Sequence, residues 1–255
     1  MNRRTLRPLG FGQALLYFGI PAAVFSASLL GLLPWMVRRG VSHFVTFNVT
    51  FGVPLALMLL AAIIAYRLEG RPWSMPAFRE RMRLERFDWR HLLWGLGIGA
   101  FYAFGNPLLA PVLRPLSRVP LYTAPDEFNA LRTAMVSSTD FLGIPTAGAW
   151  WLLVWGTVTL IVLNIFGEEL WWRGYILPRQ ELANGRWAWV INGVLWATFH
   201  IFYHTTLYSL VSYIPGCCAV AYVAQRTRST WPGVIGHTIA NSAFLVALYR
   251  GIVGG

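Results

Sequence analysis

The chain contains no lysine; all 21 of its basic residues are arginine. Charge of either sign is scarce, 12% of 255 residues, against about a quarter in an ordinary soluble domain. That scarcity, beside 56% hydrophobic and 15% aromatic residues, excludes a water-soluble globule. Cysteine is nearly missing too. Cys217 and Cys218 stand side by side in an apolar run, which excludes a disulfide framework and a cysteine-built metal site. They read as small apolar helix residues. No internal repeat, low-complexity tract or linker divides the sequence, so residues 1–255 read as a single membrane domain. A net charge of +11 would suggest nucleic acid in a soluble protein. Here the arginines cluster between apolar runs, which points to membrane lipid as the partner and to no nucleic acid.

A spanning helix needs about 20 mostly apolar residues. Such segments fall near 10–36, 42–66, 91–113, 147–177, 187–208, 209–225 and 231–249. The expected fold class is all-α: a polytopic integral membrane protein of about seven transmembrane helices. The first run is too long for a signal-peptide core despite Arg3, Arg4 and Arg7, so it reads as a retained helix. Arg67 to Arg90 holds seven arginines, and within it Met75, Phe78 and Met82 recur at helical spacing beside Arg79, Glu80, Arg81 and Arg83. That pattern predicts an interfacial amphipathic helix, its apolar face on lipid and its arginines at the headgroups. With the N-terminus inside, fifteen arginines fall on the inner side and six on the outer. The positive-inside rule then gives a multi-pass protein of the cell membrane, N-terminus cytoplasmic and C-terminus external. In the longest outer loop, Thr123-Ala-Pro-Asp126 predicts a capped helix start with Pro125 in the first turn. Phe128, Leu131 and Met135 follow on one face, as a short helix over the outer mouth of the bundle would place them.

Glu168, Glu169 and Arg173 continue an apolar run from Ala149 to Phe166 without a break. Ionisable groups inside a membrane segment face a bundle interior or a watery cavity and mark function. His200, His204, His237 and Asn241 also stand in late apolar runs. Asn241 follows His237 by four, so both project from one helix face. If Pro178 ends its helix, Glu168 lies ~15 Å from the inner end, His200 ~20 Å, His237 ~9 Å and Asn241 ~15 Å, at 1.5 Å per residue. An acid, two imidazoles and an amide from three helices can thus meet in a polar cavity, expected to open toward the cytoplasmic side. A glutamate and a histidine can share and activate a water. A second histidine and an amide can stabilise an oxyanion. No serine or cysteine stands at comparable depth with a base, which argues against an acyl-enzyme. Arg173, four residues after Glu169, is expected to pair with it and leave Glu168 as the reactive carboxylate. Glu168, His200 and His237 are also ordinary zinc ligands. The residues therefore leave open whether the cofactor is none or a divalent metal such as zinc. The His-Glu-x-x-His signature is missing, although His200 and His204 share its spacing.

The set Glu168-Glu169-x-x-x-Arg173-Gly174, then His200, then His237-x-x-x-Asn241 resembles the motifs of the CPBP intramembrane proteases. That family includes the type-2-like CAAX prenyl proteases and bacteriocin-processing membrane proteins. The resemblance covers about Ala149 to Leu248, a protease-like core near 147–249; the earlier helices match only in being apolar. It implies an endopeptidase acting on a membrane-associated or lipidated peptide, through water activated by Glu168 and His200. His237 and Asn241 would stabilise the oxyanion, with Glu169 and Arg173 organising the motif. Where the family commonly has Phe four residues before the histidine, this chain has Trp196. Related proteins have been described both as glutamate-dependent and as metalloproteases, and His204 has no counterpart in the motifs.

Plainer readings stand beside these. His204, further toward the outer surface, reads as interfacial or structural, as do His43 and His91 at helix starts. Trp150, Trp151, Trp187, Trp189 and Trp231 fall near helix ends and read as belt residues. A non-catalytic membrane peptide-binding or immunity protein could use the same cavity, as could a small transporter. Transport usually shows as repeat symmetry, which this chain lacks. Substrate, oligomeric state and physiological role are not legible.

Overall fold

A computed structural model describes residues 6–135, 137 and 139–254; Arg3 and Arg4, counted above among the inner arginines, lie outside them. The described chain is almost wholly helical, as backbone in hydrocarbon must be to satisfy its own hydrogen bonds. The helices are α1 (Phe11–Arg38), α2 (His43–Leu68), α3 (Met75–Arg81), α4 (Trp89–Gly105), α5 (Leu108–Arg118) and α6 (Asp126–Ala134). A two-residue hairpin, β1 (Asp140–Phe141) with β2 (Ile144–Pro145), follows. Then come α7 (150–184), α8 (Ala188–Phe199), α9 (Leu207–Thr227) and α10 (Trp231–Gly254). Among the described residues, five helical stretches are long and apolar enough to cross a membrane, or six if α4 and α5, bent by 46°, count as one.

The count falls below the expected seven or so because two of the expected segments, 147–177 and 187–208, are joined in one stretch. Trp150–Phe202 is one apolar helical stretch of 53 residues, and it folds back at Gly185, whose φ of +54° suits glycine. Across that fold Asn192 donates to the Trp172 carbonyl at 3.2 Å and Trp196 to Glu168 at 2.7 Å, so α8 runs antiparallel to α7. The returning leg, Ala188–Phe199 plus the tight turn His200–Phe202, rises only ~22 Å. That falls short of a hydrocarbon core about 30 Å thick.

Pro178 does not end α7; the helix continues to Asn184. Proline removes the N–H that would pair with the carbonyl four residues back and crowds that carbonyl. Here the preceding stretch Leu170–Ile176 widens to i→i+5 turns, and the Gly174 carbonyl takes a 2.7 Å bond from Arg81 instead. Ser28–Leu32 before Pro34 and Asn48–Gly52 before Pro54 widen in the same way. Only Val158–Phe166, just ahead of Glu168, is widened with no proline two residues beyond it among these four stretches.

Two local expectations also change. Met75 is exposed, but Arg81 is buried and Met82 fully so, so α3 is not a lipid float with every arginine at the headgroups. The Arg81 guanidinium holds both Glu69 oxygens at 2.7 Å and the Gly174 and Tyr175 carbonyls, fastening α3 to α2 and α7. A carboxylate partner plus two carbonyls compensates the buried charge. The α6 helix begins at Asp126 with Pro125 as its cap residue and no side-chain cap bond, so the expected Thr123 cap is not made. Its apolar face does turn inward, Phe128 and Leu131 buried.

Side-chain-free contacts close the bundle. A Cβ on Gly193 of α8 would sit 2.5 Å from the Cys218 backbone of α9, and one on Gly95 of α4 would sit 2.5 Å from Ile235 of α10. Small residues at such crossings let backbones approach where lipid supplies no hydrophobic drive.

Candidate active site

A cavity of about 530 Å³ opens between α1, α2, α7, α8 and α10, roofed by α6. Phenylalanines and leucines line most of it, among them Phe25, Phe51, Phe199 and Phe244, and its polar wall is Asn164, Glu168, His200, His237 and Asn241. Four of the six candidate residues thus share one cavity. Glu169 and Arg173 do not line it; they lie behind it with side chains wholly inaccessible. Phe128, Leu131, Arg132 and Met135 close the far end. The cavity therefore runs from mid-helix toward α6, the end opposite the arginine-rich loops, and not toward those loops as expected. The reverse direction is filled by large buried side chains, Trp172, Trp196, Arg173 and Met82.

Glu168 is held by three N–H donors. Asn164 Nδ2 donates to Oε1 at 2.9 Å, Trp172 Nε1 to Oε2 at 3.2 Å, and Trp196 Nε1 to the same oxygen at 2.7 Å. Asn164, Glu168 and Trp172 are spaced by four along α7, hence on one face. Charge-assisted N–H bonds fix a carboxylate's orientation. Oε2 accepts two of these bonds and Oε1 one, so Oε1 keeps a lone pair for a reacting group.

His200 Nε2 stands 3.9 Å from Glu168 Oε2, while its Nδ1 lies 2.9 Å from the Trp196 carbonyl oxygen. A carbonyl can only accept, so Nδ1 carries the hydrogen and the neutral ring presents a bare Nε2 to the carboxylate. The gap is too long for a direct hydrogen bond and suits one water bound by both groups.

Behind this front pair is a fully enclosed one. Arg173 Nη1 meets Glu169 Oε1 at 3.3 Å, so the pairing expected from their spacing is formed. The same oxygen lies 3.2 Å from His237 Nδ1, and Arg173 also lies 3.7 Å over the Trp196 ring. Glu169 Oε2 has no hydrogen-bond partner among the described residues, and a Cβ on Gly233 would come within 2.3 Å of it. Glycine there is the space that lets the carboxylate lie flat against α10. His237 is thereby anchored through Nδ1, with Nε2 its uncommitted nitrogen. Asn241 Nδ2 reaches Asn164 Oδ1 at 3.4 Å, which closes a chain from Asn241 through Asn164 to Glu168.

His204 is not among the residues lining the cavity. Its ring lies 6.5 Å from His200 and 5.1 Å from Tyr213, and its buried Nε2 has no hydrogen-bond partner among the described residues. Burial first, then His200 and Arg132, push it down to about 4. It reads as a neutral packing residue, as its sequence position suggested.

Glu168, His200 and His237 do not fit a metal ion well. Two indole N–H groups converge on the Glu168 oxygen nearest His200 and fill its lone pairs. No group of three or more His, Cys, Asp or Glu side chains among the described residues has a metal-holding arrangement.

Three residues at the site were not singled out as functional from sequence: Asn164, Trp172 and, as a donor, Trp196. The signal for the first two was their position one turn either side of Glu168. For Trp196 it was the departure from phenylalanine, since an indole has an N–H to give and a phenyl ring has none.

Residues 149–243 match the family model described as Rce1-like, the type II CAAX prenyl endopeptidases. All six candidate residues fall inside that stretch, and the resemblance to CAAX-type proteases drawn from their motifs stands on it. No curated protein and no solved structure matches the chain.

Proposed function

We propose that the chain is an intramembrane endopeptidase that cuts a peptide bond by direct attack of water. The observation that carries this reading is the 3.9 Å separation of Glu168 Oε2 and His200 Nε2 on the wall of an otherwise apolar cavity. A water donating to the Glu168 carboxylate, whose Oε1 has a lone pair left, and to His200 Nε2 is polarised as a nucleophile. Its oxygen attacks the scissile carbonyl carbon and its proton passes to Glu168. The oxyanion that forms is met by Asn241 Nδ2 and by His237 Nε2–H, on the ring whose Nδ1 faces Glu169. Collapse of the tetrahedral intermediate breaks the C–N bond, and the amine leaves with the proton Glu168 took up. Glu169 and Arg173 touch no substrate in this scheme; they position His237 and Trp196. No metal step is invoked, since the donor set does not fit one.

The lining selects the substrate class. Aromatic and aliphatic walls favour an apolar or lipid-carrying peptide held near the bilayer, and a prenylated cysteine peptide is the natural probe. The arginine distribution supports a cytoplasmic N-terminus, which places the α6 end of the cavity on the outer side.

Protein reconstituted in lipid nanodiscs, given a fluorogenic prenyl-cysteine peptide, tests the scheme. Glu168→Gln keeps an acceptor for the indoles but loses the base, and it should lower turnover about 10³-fold, as should His200→Ala. Wild-type turnover by either folded variant would overturn the assignment.

A further inference from the structure

A second concave region lies at the arginine-rich end, about 650 Å³ between the α3–α4 loop and the α9–α10 turn. Arg79, Arg83, Arg86 and Arg228 line it with His91 and Ser229. The proposed reaction uses none of these residues. We infer that this basin is a binding site for the phosphodiester headgroup of an anionic membrane phospholipid.

The basin is built, not a chance crowding of surface arginines. Thr230 ties its two loops together, N–H to the Arg83 carbonyl at 2.9 Å and hydroxyl to the Met82 carbonyl at 2.7 Å. Trp231 Nε1 adds a 3.0 Å bond to the Glu85 carbonyl. Among the described residues three non-glycine positions have positive φ, and two of them, Arg83 at +55° and Arg228 at +52°, are arginines of this basin. Arg228 occupies the left-handed position that ends α9, where glycine is the usual residue. Strain of that kind gathers where a side chain is needed in a set place.

The charges fit a monoanion. Arg83 is matched bidentately by Glu181 at 2.6 and 2.7 Å, and Glu80 and Glu85 also line the basin. Against four guanidiniums this leaves one cationic charge uncompensated, the complement of a phosphodiester. The backbone N–H of Asp88 donates to His91 Nδ1 at 3.0 Å, so the neutral ring carries its hydrogen on Nε2, a further donor. A lipid is favoured over a soluble phosphate by the surroundings. Trp73, Phe87 and Trp89 are exposed around the basin and mark headgroup depth. Below them Leu92, Leu93 and Leu96 of α4 are exposed, a path for acyl chains. Basic pockets at helix ends are where such headgroups lodge.

Thermal unfolding of detergent-purified protein tests this, with phosphatidylglycerol, phosphatidylcholine and inorganic phosphate as separate additions. Phosphatidylglycerol alone should raise the wild-type midpoint, and Arg86→Gln and Arg228→Gly should each remove at least half of that rise. Without lipid, Arg228→Gly should unfold no earlier than wild type because glycine relieves the left-handed backbone, so its lost response cannot be misfolding. Arg38→Gln, at the opposite end, should respond like wild type. An undiminished phosphatidylglycerol response in both basin variants, or an equal response to phosphatidylcholine, overturns the proposal. If inorganic phosphate reproduces the rise in wild type and not in the variants, the lipid assignment is likewise overturned.

Discussion

The middle of α7 and its arginine-rich end treat charge in opposite ways. Toward the arginine-rich loops every buried charge is tied off: Arg81 spans Glu69 and two carbonyls, and Arg83 grips Glu181 with two short bonds. At mid-helix the contacts between opposite charges are longer and fewer. Glu169 and Arg173 share one 3.3 Å contact, and one oxygen and two guanidinium nitrogens have no hydrogen-bond partner among the described residues. His200 stops 3.9 Å short of Glu168. Fully paired charges fasten helices; under-committed ones remain able to take up a water, a proton or a developing oxyanion. Polar atoms left short inside a fold are costly, and those of Glu169 and Arg173 stand directly behind the cavity wall.

The contrast breaks most visibly by exchanging the same atom in each region. Glu168→Gln should cost about 10³-fold in turnover with little change in unfolding temperature, while Glu181→Gln should leave turnover unchanged; equal effects on turnover would remove the distinction. Next in size is Arg81→Met, which strands Glu69 and two carbonyls. Breaking a buried pair from one side costs about 3–5 kcal/mol, read as an earlier unfolding midpoint.

Gly233→Ala is a finer probe. It pushes on Glu169 Oε2 without touching the cavity wall, so it should lower kcat through His237 and leave KM for the peptide near its original value. A KM-only effect would mean that Glu169 does not work through His237.

The smallest effect is in acid. Burial pushes Glu69 up, but Arg81 and Arg71 together hold its carboxyl below the usual carboxylate range. Its contribution is therefore whole above the unfolded value of 4.5 and fades as pH falls through the lower folded value. His204 acts sooner. Its folded value near 4 lies below its ordinary 6.5, so the unfolded chain takes the proton first and stability falls as pH drops from 6.5 toward 4. His204→Phe should flatten the upper part of that acid limb in a pH-dependent unfolding series, and Glu69→Gln the lower part.

Much of this was legible beforehand, and for identifiable reasons. Membrane helices announce themselves by length and composition because lipid permits little else. Spacing by four put Glu169 with Arg173 and His237 with Asn241 on shared faces, a property of the helix and not of its neighbours. Where helices end was less legible. Pro178 is passed because Arg81, 97 positions earlier, covers the carbonyl it orphans, and no local window contains that partner. The reading of α3 failed for the same reason: amphipathic spacing cannot tell an arginine bound for headgroups from one bound for Glu69.

The order of residues alone thus settled that the chain is an all-helical membrane protein and which polar side chains share a helix face, Glu169 with Arg173 and His237 with Asn241. It settled these because hydropathy and helical period are local properties. Only the folded molecule decided that Glu168 lies at the cavity wall while its neighbour Glu169 lies behind, that two indoles steady the acid, and that the cavity opens beneath α6. Those depend on which faces of distant helices meet, and a contact between α7, α8 and α10 exists in no single stretch of sequence.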